Sequence, residues 1–273
     1  MPSLKELIIT ECNKLKALPD RLPCNLRRVT VHCEQVTWMP CDALPLLEFL
    51  SLEGHVKVEL SPFPALKALE ITCANYETLP SDGWELLESL HTTKISDCPR
   101  LAFLPDGMGK LKALQSLDID GCSQLTNLPE GLGQLETLHT LSISNCSGFT
   151  SLFNGSGQFK TLRHLGILQC NSLRSLSDGL VHFEALQSVH VWFCPKLQSL
   201  FDGFEQLKSL RWLNIYNCPE LKHFPPLQYL TSLERLEINN CPLAKEQLQK
   251  EIRGGRCNVS HICSIKIDDE RIQ

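Results

Sequence analysis

No apolar run in this 273-residue chain approaches the roughly 20 residues that carry a helix across a bilayer. Positive charge is also scarce, with 26 lysines and arginines against 31 acids and a net charge of −5. A face that grips nucleic acid or an anionic membrane surface needs the opposite balance, so neither is expected as a partner. The opening Met1-Pro2-Ser3-Leu4-Lys5 lacks the apolar core of a secretory leader. Gly107-Met108-Gly109-Lys110 has neither the spacing nor the hydroxyl of a phosphate-binding loop. Neither a cofactor nor a metal is expected in this chain.

Hydrophobic residues make up 42% of the sequence, enough for a folded chain. The length exceeds what one compact core usually spans, a limit that a repeat array escapes by extending its core along one axis. The fourteen cysteines carry the repeat. Cys98, Cys122, Cys146, Cys170, Cys194 and Cys218 recur every 24 residues, and Cys12, Cys33, Cys73 and Cys241 hold the equivalent place in less regular copies. A residue returning once per repeat marks a buried structural position, not a disulfide framework. Free thiols in that number fit a reducing compartment, so a cytoplasmic location is expected. Three Asn-x-Ser sequons, at Asn145, Asn154 and Asn258, are what chance supplies.

One copy reads Leu114-x-x-Leu117-x-Ile119-x-x-Cys122-x-x-Leu125-x-x-Leu128-Pro129-Glu130-Gly131. The apolar–polar alternation of Leu117-Asp118-Ile119 predicts a strand with one buried face. A strand that must return to start its neighbour pairs in parallel. About eleven copies are counted from Leu4, and at roughly 4.8 Å per strand they predict a surface about 50 Å long. The array is expected over 1–241, irregular over 1–89 and in regular 24-residue repeats over 90–241. Residues 242–273 are expected to form a C-terminal cap, with a helix from Pro242 to Ile252 stopped by Gly254-Gly255 and a last strand at Ser264–Asp268. Unequal early repeats predict uneven curvature. Gly107, Gly131, Gly155, Gly179 and Gly203 keep the beat, which predicts positive φ or close backbone approach in the return turns. The absence of a cap before Leu4 leads us to expect the C-terminal part of a longer protein.

The motif Leu-x-x-Leu-x-Ile-x-x-Cys-x-x-Leu-x-x-Leu-Pro, with Pro129-Glu130-Gly131-Leu132-Gly133 on the return, resembles the leucine-rich-repeat region of plant intracellular nucleotide-binding disease resistance proteins. Leu236-Glu237-Ile238-Asn239-Asn240-Cys241-Pro242-Leu243, followed by Ile265-Lys266-Ile267-Asp268, is similar to the C-terminus of their coiled-coil subclass. The resemblance implies an α/β solenoid, a leucine-rich-repeat horseshoe with a concave parallel β-sheet and short 3-10 or loop segments on its convex side. It also implies a sensor that binds a pathogen effector or host protein, and that holds the receptor's upstream nucleotide-binding domain inactive. Nucleotide binding would belong to that domain.

Residues between and just after the buried pair face outward. Early copies place Glu6, Arg28, Thr30, His32 and Glu70 there, and middle copies place Ser116, Asp118, Asp120, Thr140, Ser142 and Ser144. Three later copies differ in character: His164, Leu168, His190, Trp192, Phe193, Trp212 and Tyr216 form the candidate partner-binding cluster. Aromatics on a rigid sheet supply binding hot spots, and they also stack laterally between strands; both readings stand at this point. Phe193 directly precedes the inward Cys194.

Two rivals remain. A ubiquitin-ligase adaptor also places cysteine at this strand end, but the Pro-x-Gly returns and the lack of an F-box ahead of the array speak against it. Cys257, His261 and Cys263 sit near one another, yet their spacing matches no common zinc set, and packing in the cap is the better reading. The nine histidines show no arrangement of base and nucleophile, and the outward acids have no pocket to shift their ionisation. No catalytic residue is expected.

Overall fold

The computed structural model describes residues 4–12, 14–38, 42–60, 63–72, 77–153, 158–177, 182–201, 207–253, 259–268 and 270–271. They fall into two compact units, one of residues 1–125 with 129–138 and one of residues 126–128 with 139–273.

In the first unit the alternation noted above produces six strands: β1 (Glu6–Thr10), β2 (Arg28–Trp38), β3 (Phe49–Val58), β4 (Ala68–Thr72), β5 (Thr92–Ser96) and β6 (Ser116–Asp120). Each pairs in parallel with the next. Register puts core residues side by side, as in Leu50↔Leu69 and Leu52↔Ile71, so from β2 to β6 one sheet face is a buried row, aliphatic but for Thr93 near its middle. The irregular early repeats have a specific form. β2 does not stop at Cys33 but continues to Trp38, with a register shift against β3 between His32 and Gln35. Gly54 permits this with φ +91, because a Cβ there would run into the Cys33 carbonyl. Beyond the shift, Trp38 is fully buried, with its ring centroid 5.4 Å from that of Phe63.

The returns of this unit use short 3-10 turns at Trp84–Leu86, Asp106–Lys110 and Glu130–Gln134. Pro105 and Pro129 precede the last two with φ −65° and −59°, the values their rings impose. Of the two expectations for the returning glycines, close approach is the one found, since Gly107 and Gly131 are absent from the positive-φ set. A Cβ on Gly109 would stand 2.6 Å from the Gly131 Cα. Gly155, Gly179 and Gly203 lie outside the described residues.

The second unit contains β7 (Thr140–Ser144), β8 (Ser151–Phe153), β9 (His164–Leu168), β10 (Ser175–Ser177), β11 (Ser188–Trp192), β12 (Trp212–Tyr216), β13 (Arg235–Asn239), helix α1 (Pro242–Arg253), β14 (Ser264–Ile267) and β15 (Glu270–Arg271). The principal sheet runs β7-β9-β11-β12-β13-β14 with parallel pairing throughout, and β15 adds antiparallel to β14. β8 and β10 pair in a second small sheet on the return path. Near it Phe153, Phe159, Phe183 and Phe201 make successive ring contacts at 4.8 to 5.7 Å. Ala244 and Leu248 of α1, with Ile262, Ile265 and Ile267, are buried at the C-terminal end. Gly254 and Gly255, read as the stop of this helix, lie outside the described residues.

The strand end explains the cysteine beat. The residue before the cysteine adopts left-handed φ in repeat after repeat: Asp97, Asn145, Gln169, Phe193, Asn217 and Asn240 lie between 50° and 56°, and Gly121 takes 65°. That conformation aims each backbone N–H at the end of the neighbouring strand, as in Asn145 N–H to Leu168 O at 2.9 Å and Gln169 N–H to Trp192 O at 2.9 Å. It also turns the chain inward, where a small buried side chain must follow. Cys146 fills that place and donates its thiol to the Ser144 carbonyl at 3.1 Å; Cys194 and Cys241 do the same to Trp192 and Asn239. Hydrogen bonding to Cys194 and Cys241, together with burial, pushes the Cys218 thiol far above the ordinary thiol range. Cys98, Cys122, Cys146, Cys170, Cys194, Cys218 and Cys241 are all buried in the core.

Candidate protein-binding surface

One face of each sheet has no return segment over it among the described residues, and its chemistry is set by the outward residues of each strand. In the first unit these are mostly polar, with Ile8 on β1 (59% exposed), Phe49 on β3 and Ala68 on β4 as apolar exceptions. Arg28 donates to the Glu6 carboxylate at 3.3 Å, and its guanidinium lies 4.1 Å over the Phe49 ring. Lys94 and Asp120 flank Asp118 in register or sequence; burial raises the Asp118 carboxyl above its usual range, with Lys94 opposing and Asp120 reinforcing the shift. The expectation that no outward acid would be perturbed is therefore corrected. Packing between neighbouring strands desolvates this carboxyl without a pocket.

A second correction concerns the histidines. His32 Nε2 lies 3.2 Å from Ser51 Oγ while its Nδ1 lies 3.2 Å from the Glu53 carboxylate, and His164 Nδ1 lies 2.8 Å from Ser188 Oγ. Register creates both groupings, since Thr30 faces Ser51 and His32 faces Glu53 across β2 and β3, and His164 faces Ser188 across β9 and β11. The first has the order of nucleophile, base and acid. It sits within a sheet whose strands pair in a parallel ladder on both sides of β3. The geometry ties strands together.

The second unit gathers the seven sequence-predicted residues on three adjacent strands. Register sets Trp192 between Leu168 on β9 and Tyr216 on β12, and Ser188 between His164 and Trp212. Trp192, Phe193, Trp212 and Tyr216 are 40%, 43%, 43% and 39% exposed; His164, Leu168 and His190 are half-buried. Such exposure is high for rings of this size on a sheet whose opposite face is fully buried. Part of the cluster is laterally tied. Trp192 Nε1–H donates to Asn214 Oδ1 at 3.3 Å, and Asn214 donates in turn to Glu237 at 3.2 Å. The His190 and Trp192 rings meet at 6.0 Å and 72°. Phe193 belongs to the exposed set because its left-handed backbone turns its ring outward, ahead of the inward Cys194. Sequence reasoning missed Asn214, which lies between two predicted residues of the same strand.

Burial, and then the neighbouring His164, hold the His190 imidazole below its ordinary value, with Glu237 pulling the other way. The ring is neutral near pH 7. Beyond it the charged side chains return: Arg235 and Lys266 both approach Glu237 at 3.4 Å.

Of the zinc rival, Cys257 lies outside the described residues. His261 Nε2 lies 2.9 Å from the Leu230 carbonyl and Cys263 is exposed. The packing of that ring is accounted for within the fold.

Parallel strands paired in register repeat after repeat, a buried cysteine following a left-handed residue at the strand ends from Cys98 to Cys241, and 3-10 returns together define a leucine-rich-repeat solenoid. The leucine-rich repeat domain of the type III effector XopL shares this fold, with a TM-score of 0.58 and 19% identity over 85% of this chain and 74% of that one. Residues 104–242, just over half of the chain, match the leucine-rich repeats of the plant disease resistance protein RPS2-like family, and the chain belongs to that family. The probable disease resistance proteins RF45 and RDL5 of Arabidopsis thaliana are each 33% identical over 122 residues, covering 40% of this chain. The match spans 12% of the length of either relative.

Proposed function

We propose that this domain is the recognition part of an intracellular plant immune receptor, binding a pathogen effector or a host protein on the open face of β9, β11 and β12. The same domain holds the receptor's nucleotide-binding module inactive until that partner is engaged. It works in the cytoplasm and catalyses nothing; nucleotide chemistry belongs to the other module. The observation that carries this reading is the exposure of Trp192, Phe193, Trp212 and Tyr216 along two adjacent strands, where the outward residues of the other strands are mostly polar. Large rings with few rotatable bonds lose little entropy when a partner covers them. Free buried thiols suit a reducing compartment, and the family is one of disease resistance proteins.

The test is the intact receptor carrying Trp192→Ala with Trp212→Ala, expressed in leaf tissue with the effector that the unaltered receptor recognises. Effector-dependent cell death should disappear while the protein accumulates to its usual level. An undiminished response would rule out this surface as the recognition face.

A further inference from the structure

Within the aromatic surface one outward position is empty. Gly166, the central residue of β9, lies in register between Ser142 on β7 and His190 on β11. Its outward neighbours on β9 are His164 and Leu168, and Trp192 faces Leu168. The equivalent residues on the flanking strands all carry side chains: Ser142, His190, Asn214 and Glu237. The fold does not demand glycine at this point. Gly166 is absent from the positive-φ set, and a Cβ there would meet within 4 Å only the Ser142 hydroxyl, at 3.3 Å, a group that turns on one bond. Strand interiors disfavour glycine for its entropy and its lack of packing surface. This contrasts with Gly109, whose missing Cβ the Gly131 backbone requires. What Gly166 provides is a notch one side chain wide, bounded by His164 and Leu168 on its own strand and by Ser142 and His190 in register, with Trp192 diagonal to it beside Leu168.

The surface around the notch carries no fixed charge. The outward residues of β9, β11 and β12 are His164, Gly166, Leu168, Ser188, His190, Trp192, Trp212, Asn214 and Tyr216, without a carboxylate, lysine or arginine among them. Hydroxyls bound it on β7, and the Arg235–Glu237–Lys266 group bounds it on β13 and β14. A charged partner segment would lose its hydration here with no opposite charge in return. An apolar one finds aromatic walls.

We propose that the partner is a protein presenting an uncharged protrusion, and that one aliphatic side chain of it seats in the notch over Gly166 against Trp192 and Leu168. This deepens the proposed function and rests on it.

A random 12-residue peptide library displayed on phage, panned against the full 273-residue chain, tests the idea with a probe that does not depend on the partner's identity. Parallel pannings use Gly166→Val, Gly166→Ser and Trp192→Ala, each first checked for a cooperative melting transition. The expected consensus on the unaltered chain holds a single Leu, Ile, Val or Met flanked by uncharged residues. Its members should bind Gly166→Val at least tenfold more weakly, Gly166→Ser to an intermediate degree, and Trp192→Ala weakly. Peptides that need Trp192 but tolerate Gly166→Val would overturn the notch and leave the aromatic surface standing. A consensus rich in acidic or basic residues would also overturn it. Binding indifferent to Trp192, or no enrichment at all, would remove the proposed recognition face itself.

Discussion

The Phe193 ring stands edge-on to Tyr216 of the next strand, with centroids 5.4 Å and planes 63° apart, while its own backbone is held at φ +56. Left-handed geometry costs an L-residue with a bulky side chain roughly 1–2 kcal/mol, and equivalent positions are filled by Asn145, Asn217, Asn240, Asp97 and Gly121. An edge contact returns about 0.5–1.5 kcal/mol beyond the area it buries. The two roughly offset, so the ring adds little to the fold. Phe193→Asn should leave the melting temperature unchanged or slightly raised, and should weaken partner binding. A loss of more than about 2 kcal/mol in denaturant unfolding would make the ring structural instead.

Thr93 occupies a core position that holds Leu69 on one neighbouring strand and Leu117 on the other. It is 2% exposed, and its hydroxyl has no hydrogen-bond partner. An unpaired buried hydroxyl costs about 1–3 kcal/mol, so Thr93→Val, of nearly the same shape, should stabilise the chain by about 1 kcal/mol. Chemical denaturation reads this directly. A destabilised variant would mean that the hydroxyl is satisfied.

Gly109 and Gly131 touch backbone to backbone between successive 3-10 turns. Gly109→Ala forces those turns apart and should cost about 2 kcal/mol, within the usual range for overpacking. Gly166→Ala, by contrast, should not destabilise at all. Equal effects in thermal melting would contradict the distinction between a glycine the fold needs and one it tolerates.

His190 lies opposite Gly166 on β9 and Asn214 on β12, with His164 diagonal to it on β9, Glu237 beyond Asn214 and Trp192 on its own strand. Because burial depresses its folded ionisation, the unfolded chain takes up the proton first as pH falls. Its contribution to stability is whole above the ordinary imidazole value of about 6.5 and drains away as pH drops through that value toward the lower folded one. The melting temperature should fall as the pH is lowered from neutrality through that window, and His190→Gln should fall less. An equal fall in both proteins would move the effect to another group.

The repeat was legible because burial alternates with a strict period. Leu117, Ile119 and Cys122 announce which side chains go inward, and the same spacing marked Trp192, Trp212 and Tyr216 as outward. What the sequence concealed depends on neighbours about 20 residues away. The His32–Ser51–Glu53 grouping exists only once β2 and β3 are in register. The early copies read as shorter, unequal repeats, and what that reading could not show is the bulged, lengthened strand pair seated on Gly54. The glycine beat at Gly107 and Gly131 was visible, but the tightest approach falls on Gly109, because which backbones meet depends on how one turn stacks on the next. The left-handed residue before each cysteine had a signal in Asn and Asp; Phe193 broke that signal, and its outward ring followed from it.

The central claim is that Trp192 and Trp212 serve contact and not the fold. The deciding measurement is the pair of unfolding free energy and partner affinity for Trp192→Ala with Trp212→Ala. Cross-strand pairs on a sheet contribute roughly 0.2–1 kcal/mol each, so stability should drop by no more than about 2 kcal/mol while affinity for the recognised protein falls at least about a hundredfold. A loss of more than about 4 kcal/mol with affinity intact would show rings that stack for the sheet alone.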